Sequence, residues 1–413
     1  MKGRTYDAVI VAGARTPMAE YNTHFRDISE TELGGIAARA ALARSGIDPG
    51  RVDHVVFGNA VQTSANACYG ARHVGLKAGL PERVPALTVN RLCGSGLQAI
   101  VTAAQWIALG EAEAVLAGGM ENMTQSPHVA RGLRSGRRMG HLALEDSLVA
   151  ALLDAQCGFS MSQTAENLAR ERGVSREDAD RFALRSQRAA EAAWRAGKHG
   201  EEIVPVTVRE RGEEIVVDAD NHRRPDTTLE ELARLPAAFG GSGHVTAGNA
   251  SGIVDGAAAV MVVSPALARS LGARPLGRVV AHAESGVPPR IMGIGPVPSI
   301  RAALQTAGLS LREIDLFEIN EAFAAQYVAV EKELGLDRER VNVNGGAVAL
   351  GHPLGATGTR LALTLLLELR RRGGRYGVAS ACIGGGQGIA VVVEAASDGA
   401  GAQVGRRGTS SSR

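Results

Sequence analysis

Apolar positions along this chain fall into two patterns. Short unbroken runs that end in glycine, such as AVIVAG at 8–13, AVLAGG at 114–119 and YGVASACIGGG at 376–386, predict strands running into Gly-rich loops. Longer Ala- and Leu-rich runs predict helices. The stretch VNRLCGSGLQAIV at 89–101 joins the two. It leaves an apolar strand, crosses a Gly-rich turn and enters a helix whose Leu97, Ile100, Val101 and Ala104 form a buried stripe.

The pattern also repeats. ALARSGIDPGRVDHVVFGNA at 41–60 parallels ALQTAGLSLREIDLFEINEA at 303–322, each reading helix, glycine stop, short loop and strand. Two similar βα-rich halves packed against each other account for this. Between them, residues 123–251 are polar and Arg-rich at VARGLRSGRRMGH (129–141) and then amphipathic. Leu168, Phe182, Leu184, Ala189 and Ala193 keep approximate helical spacing there, and Ser175 with Asp178 reads as a capping box. The expected organisation is an N-terminal half of 1–122 with 252–273, an insertion of 123–251, and a C-terminal half of 274–396. The Gly/Ser-rich tail, 397–413, is expected to be disordered.

Composition narrows the class. With 413 residues the chain is long enough for two or three packed units, and 45% hydrophobic with 3% aromatic content suits an α/β enzyme better than a β-sandwich. A net charge of +2 with scattered arginines predicts no nucleic-acid partner. No run of about 18 apolar residues stands out, which predicts no membrane partner. Cys68, Cys93, Cys157 and Cys382 form no CxxC pair, so neither a metal site nor a dithiol couple is indicated, and free thiols fit a reducing, cytoplasmic setting.

Two chemistries compete for the glycine turn. Gly94, Gly96 and Ala99 fit the relaxed dinucleotide fingerprint GxGxxA. That reading needs an acidic residue about 20 positions on, at the end of the next strand. Glu111 and Glu113 precede that strand and Glu121 comes well after it. Cys93 offers the alternative, since it stands where the first helical turn should begin, and unpaired N–H groups with the positive helix end favour a thiolate there. A small cysteine filling a tight junction is the plainer reading.

A nucleophile needs partners, and three further runs offer them: NEAFAAQ from Asn320, NGGAVALGHPLGATGTR from Asn344, and CIGGGQGIA from Cys382. His352 lies in a loop too Gly-rich to be a packing element. Cys382 follows a strand and precedes three glycines, a geometry that exposes the side chain and turns backbone N–H groups inward as an anion nest. Asn320 follows the strand DLFEI.

With GGMENMTQSP at 118–127 and TAGNASGIVDGAAA at 246–259, these runs make the chain resemble the thiolases, the acetyl-CoA acetyltransferases and 3-ketoacyl-CoA thiolases, over about residues 7–394. The resemblance implies a five-layered αβαβα fold of two duplicated halves, with the insertion as a loop domain covering the active site. It implies Cys93 as the nucleophile that takes the acyl group, His352 as its base and Cys382 as a second acid/base. One oxyanion hole would combine His352 with a water held on Asn320, the other the backbone N–H groups of Cys93 and Gly384. Coenzyme A thioesters would be substrates in ping-pong acyl transfer, with no permanently bound cofactor and no metal. Ser251 would contact the pantetheine arm and Arg224 the nucleotide end, while Met161, Phe239, Met292 and Phe323 would line the acyl pocket.

The same resemblance implies a homodimer or a homotetramer joined near 129–141. Short-chain biosynthetic thiolases usually carry His-Met where this chain has Ser160-Met161. That departure, with LEDSL at 144–148, looks more like the broad-range degradative members. Ketoacyl synthases and hydroxymethylglutaryl-CoA synthases share the fold but lack the second cysteine, and a catalytically silent acyl-CoA or lipid carrier would not need all four groups.

Overall fold

The computed structural model describes residues 6–238 and 243–396. Its strands follow one hydrogen-bonded path: Leu316–Ile319, Tyr376–Ile383, Gln387–Ala395, Gly277–Gly286, Val9–Arg15, Val254–Val263, Ala114–Glu121, His54–Gly58 and Ala86–Val89. The first four come from the C-terminal part and the last five from the N-terminal part. The two sheets meet where Val9 and Ile10 pair with Arg278 and Gly277. In the repeated units, helix Glu30–Ser45 ends at Gly46 (φ +65°) and leads to His54–Gly58, and helix Pro296–Ala307 ends at Gly308 (φ +70°) and leads to Leu316–Ile319. Glycine suits both stops because a left-handed backbone costs it nothing.

Period-two alternation distributes each strand between two layers. Ile10, Val260 and Val262 point to the centre, whereas Val9, Val11, Ala259 and Met261 pack outward on Leu33, Ala37 and Ala41 of helix Glu30–Ser45. In the other sheet, Val391 and Val393 face the centre and Ala390 and Val392 face outward, onto Ile300 and Leu304 of helix Pro296–Ala307. Helices Ser95–Leu109 and Leu354–Arg372 fill the space between the sheets through Leu97, Ile100, Leu361 and Leu365. Helix, sheet, helix, sheet, helix is the five-layered order.

One expectation needs correcting. Leu92–Leu109 spans 18 residues at a mean hydropathy of 1.3, so a run apolar enough to cross a bilayer does exist. Its Leu97, Ile100, Val101 and Ala104 are fully buried in the central layer, which accounts for the apolarity.

Within the insertion, helices Met161–Arg172 and Arg176–Arg195 are separated by Gly173 (φ +58°). Ser175 and Asp178 form the capping box, with Asp178 N–H donating to Ser175 Oγ at 3.0 Å. A hairpin of strands Val206–Glu210 and Glu213–Val217 packs Val206, Val208 and Val217 into the outer N-terminal layer. A buried ion cluster ties the insertion down: the Arg15 guanidinium donates to Asp220 at 2.7 and 2.9 Å and to Glu202 at 3.1 Å. Residues 397–413, and with them the expectation of a disordered tail, lie outside the described residues.

Candidate active site

Cys93 sits in a single short turn, Leu92–Gly94, between strand Ala86–Val89 and helix Ser95–Leu109. The preceding Leu92 has φ +47°, a left-handed conformation that costs a non-glycine residue roughly 1–2 kcal/mol. Two side chains hold it there. Leu92 N–H donates to Asn90 Oδ1 at 2.9 Å, while Ser95 Oγ accepts from Arg91 N–H at 2.9 Å and donates to the Leu92 carbonyl at 2.6 Å. The neighbouring glycines serve packing rather than a phosphate. A Cβ on Gly94 would lie 2.6 Å from Ile383 Cδ1, and one on Gly96 2.5 Å from Thr359 N.

The electrostatics of Cys93 reverse the sequence-based expectation of a thiolate. Burial pushes the thiol up to about 11, and the nearby Glu121 adds to this, although the N–H groups of Gly384 and of Cys93 itself are directed at the sulfur and pull the other way. The resting nucleophile is therefore a neutral thiol. Its side chain, half-buried by surface area but enclosed by protein on most sides, packs against the cluster of Val61, Met123, Leu148 and Leu354.

His352 is also buried, not a free loop residue; only 5% of it is exposed. Burial, then the charge of Arg360, push the imidazole down to about 3, so the ring is neutral. Hydrogen bonds define its tautomer. Thr357 Oγ1 donates to the Pro353 carbonyl at 3.0 Å, so it accepts from His352 Nδ1–H at 2.6 Å. Nε2 is left with its lone pair and takes a hydrogen bond from Asn320 Nδ2 at 3.2 Å. Asn320 Oδ1 is buried and makes no hydrogen bond to any described residue, an acceptor suited to holding a water. Two backbone bonds fix the pair: Asn320 N–H to the Ser380 carbonyl at 2.9 Å and His352 N–H to the Gly252 carbonyl at 3.0 Å.

Cys382 departs from the expected exposed position. Its strand continues to Ile383, and Met292 and Ala322, with Met161 and Phe323, close over the sulfur. Burial, and secondarily the proximity of Cys93, push this thiol above the ordinary cysteine range. Gly384 lies one residue beyond the strand. A Cβ there would come within 3.2 Å of both Leu92 Cδ1 and Met161 Sδ, so the glycine lets the nucleophile's turn and the loop domain meet.

Of the proposed pocket residues, the fold gathers Met161, Met292 and Phe323 around Cys382. Ser251 stands beside them, its N–H bonded to the Ala322 carbonyl at 3.1 Å. Arg224 does not join this group. It is half exposed, its guanidinium bonded to Glu20 and to the carbonyls of Asn221 and His222, on a loop whose His222 packs against Gly252. Phe239 lies outside the described residues. Among the described residues, no group of three or more His, Cys, Asp or Glu side chains could hold a metal ion. Sequence reasoning missed Thr357, Asn90 and Ser95 as orienting groups, and Glu121, whose carboxylate is fully buried. A hydroxyl one helical turn after the histidine, and polar residues flanking the cysteine, were the available signals.

Residues 8–266 match the thiolase N-terminal domain family and residues 273–395 the thiolase C-terminal domain family. The human mitochondrial 3-ketoacyl-CoA thiolase is 50% identical over 386 residues, 93% of this chain and 97% of that one. An acetyl-CoA acetyltransferase of Cupriavidus necator is 48% identical over 390 residues, 94% of this chain and 99% of that one. Among solved structures, the human mitochondrial 3-ketoacyl-CoA thiolase in complex with CoA superposes with a TM-score of 0.93 at 49% identity, covering 96% of this chain and all of that one. The Bacillus anthracis acetyl-CoA acetyltransferase does so with a TM-score of 0.93 at 44% identity, with the same coverage. The chain belongs to the thiolase family of acyltransferases.

Proposed function

We propose that this thiolase cleaves 3-ketoacyl-CoA substrates of a range of chain lengths with coenzyme A, and runs the reverse condensation of acetyl-CoA, through an acyl-Cys93 thioester. The observation that carries the reading is the pair of N–H groups, from Gly384 and Cys93, acting on a Cys93 thiol close to Cys382, together with a buried, neutral His352 bonded to Asn320 at 3.2 Å. In cleavage, His352 Nε2, released from its bond with Asn320 Nδ2, takes the Cys93 proton as the sulfur attacks the 3-keto carbon. The two N–H groups stabilise the oxyanion, as preorganised donors do in acyl transfer. The carbon–carbon bond then breaks, and Cys382 protonates the leaving enolate of acetyl-CoA. CoA thiol, giving its proton to the Cys382 thiolate, attacks the acyl-Cys93 carbonyl and leaves as the shortened acyl-CoA while the departing Cys93 sulfur takes its proton back from His352, a ping-pong course. Asn320 supports the other hole by holding a water next to His352. Ser251 would contact the pantetheine arm and Arg224, which now pairs with Glu20, the nucleotide end.

Chain-length tolerance is supported by Ser160. Its Oγ caps helix Met161–Arg172, accepting from Gln163 N–H at 3.3 Å, so a small side chain is folded back onto its own helix beside Met161. Assaying thiolysis from acetoacetyl-CoA to sixteen-carbon 3-ketoacyl-CoA tests this. Cleavage of the four-carbon substrate with none of the six-carbon one overturns the broad range. Trapping with acetyl-CoA and peptide mass spectrometry tests the nucleophile, and acetyl found elsewhere than Cys93 overturns the assignment.

A tetramer built as a dimer of dimers is supported by loop 129–141, which presents an Arg-rich surface with Met139 91% exposed. Light scattering at the mass of one or two chains would overturn it. The four free cysteines support a reducing compartment such as the cytoplasm.

A further inference from the structure

We infer that Glu121 is a positioning residue whose carboxylate fixes the turn carrying Cys93 and the helical turn that orients His352 relative to each other. The inference rests on the roles of Cys93 and His352 proposed above. Against the sequence-based expectation of a position well after the strand, Glu121 ends strand Ala114–Glu121, fully buried with its carboxylate bonded to protein N–H groups. Each carboxylate oxygen accepts two N–H bonds: Oε1 from Asn59 Nδ2 at 2.8 Å and Val61 N at 2.9 Å, Oε2 from Ala60 N at 3.0 Å and Gly355 N at 2.8 Å. Burial disfavours the charge and raises the acid above the ordinary carboxylate range, while the Val61, Ala60 and Gly355 N–H groups pull the other way. Four donors and no acceptor leave an acid proton nowhere to go, so the cradle fits the ionised form.

Two arms lead from these bonds to the reacting groups. On one side, Ala60 is held by Glu121 through its N–H and by Asn90 Nδ2 through its carbonyl, at 3.0 Å; the same Asn90 accepts the Leu92 N–H that keeps the turn of Cys93 in its left-handed form. Ala60 and Cys93 also pack against one apolar cluster, of which Val61 is a member. On the other side, Gly355 lies in the first turn of helix Leu354–Arg372, the turn from which Thr357 sets the His352 tautomer. Nucleophile and base belong to segments some 260 residues apart; this one carboxylate bonds directly to Gly355 in the base's helix and reaches the nucleophile's turn through Ala60 and Asn90. No neutral side chain of the same length supplies four acceptor sites.

The test uses Glu121→Gln in the full-length enzyme, with Asn90→Ala as a second variant at an exposed residue. Glutamine must aim an NH2 at some of the four N–H donors, so the turn and the helix separate. Misplacement on the scale of an ångström costs on the order of 100-fold in rate. Single-turnover acetylation of Cys93 and kcat should therefore fall about 10- to 100-fold, with the KM for CoA within about threefold of wild type. Asn90→Ala should slow acetylation as well, and the double variant should lose less than the product of the two single losses, because both hold Ala60. A purely structural role would lower the melting temperature and leave kcat per folded molecule unchanged, and that result overturns the proposal. So does a double variant in which the two losses simply multiply. If Glu121→Gln does not fold, Asn90→Ala decides, wild-type acetylation overturning the proposal and slowed acetylation supporting it. Wild-type enzyme that acetylates at another residue sinks the nucleophile assignment instead, so the two failures are told apart.

Discussion

Replacing Thr357 by valine tests whether the tautomer of His352 is set from the adjacent helix. Valine has nearly the same shape, and the site is 1% exposed, so the principal change is the lost oxygen that accepts His352 Nδ1–H at 2.6 Å. Leaving a buried donor unpaired costs roughly 1–3 kcal/mol. The ring escapes this by moving its proton to Nε2, and Asn320 can meet that proton by turning its unpaired Oδ1 toward it. The nitrogen that should accept the Cys93 proton is then already protonated. The working tautomer becomes the minor one by the same 1–3 kcal/mol, which lowers kcat about 5- to 150-fold. Steady-state thiolysis of acetoacetyl-CoA should show this loss in kcat with the KM for CoA little changed, and Cys93 acetylation should slow by a similar factor. Thr357→Ser keeps the acceptor and should recover most of the rate. A folded Thr357→Val enzyme within twofold of wild-type kcat would refute the reasoning.

Alkylation of Cys93 by iodoacetamide should accelerate steadily as pH rises toward about 11, because burial favours the neutral thiol; a plateau reached at neutral pH would show a resting thiolate instead. Cys382→Ser should still form acetyl-Cys93 but lose exchange of the acetyl-CoA α-protons with solvent, and equal loss of both half-reactions would sink the division of labour. Gly96→Ala places a Cβ 2.5 Å from a backbone nitrogen and should destabilise the fold by at least ~1–3 kcal/mol in urea unfolding, whereas Gly384→Ala meets only the ends of two flexible side chains; equal midpoints would contradict the packing account.

The repeat was legible because each copy ends its helix at a glycine that must turn left-handed, and Gly46 and Gly308 do so at nearly the same φ. The layers followed from unbroken apolar strands. Less was legible where pattern and environment part. Strand Glu213–Val217 carries two glutamates and leaves Val216 exposed, so its alternation is blurred although Val217 is buried. Leu92–Leu109 is apolar because its Leu97, Ile100, Val101 and Ala104 face fills the layer between the sheets, and mean hydropathy alone cannot tell that core from a bilayer.

The four groups of the site were legible for a similar reason: Cys93, Asn320, His352 and Cys382 all sit at strand ends or in glycine-framed turns, where backbone geometry leaves room for chemistry. Their protonation states were not. The expectation of a thiolate weighed the helix N-terminus, worth roughly 0.3–1 kcal/mol at an exposed site. Cys93 instead stands one turn before the helix, packed with Val61, Met123 and Leu354 contributed from elsewhere in the chain, and burying a charge costs more than the helix end returns. The same burial depresses His352 and raises Cys382. The result is coherent. Two thiols and an imidazole, all neutral at rest, do not form an ion pair until a substrate carbonyl accepts negative charge, so the proton leaves Cys93 together with the attack. Reaction with oxidants and with external disulfides proceeds through thiolates, so the same neutrality that delays nucleophilicity until substrate is bound also slows attack on either thiol by such agents.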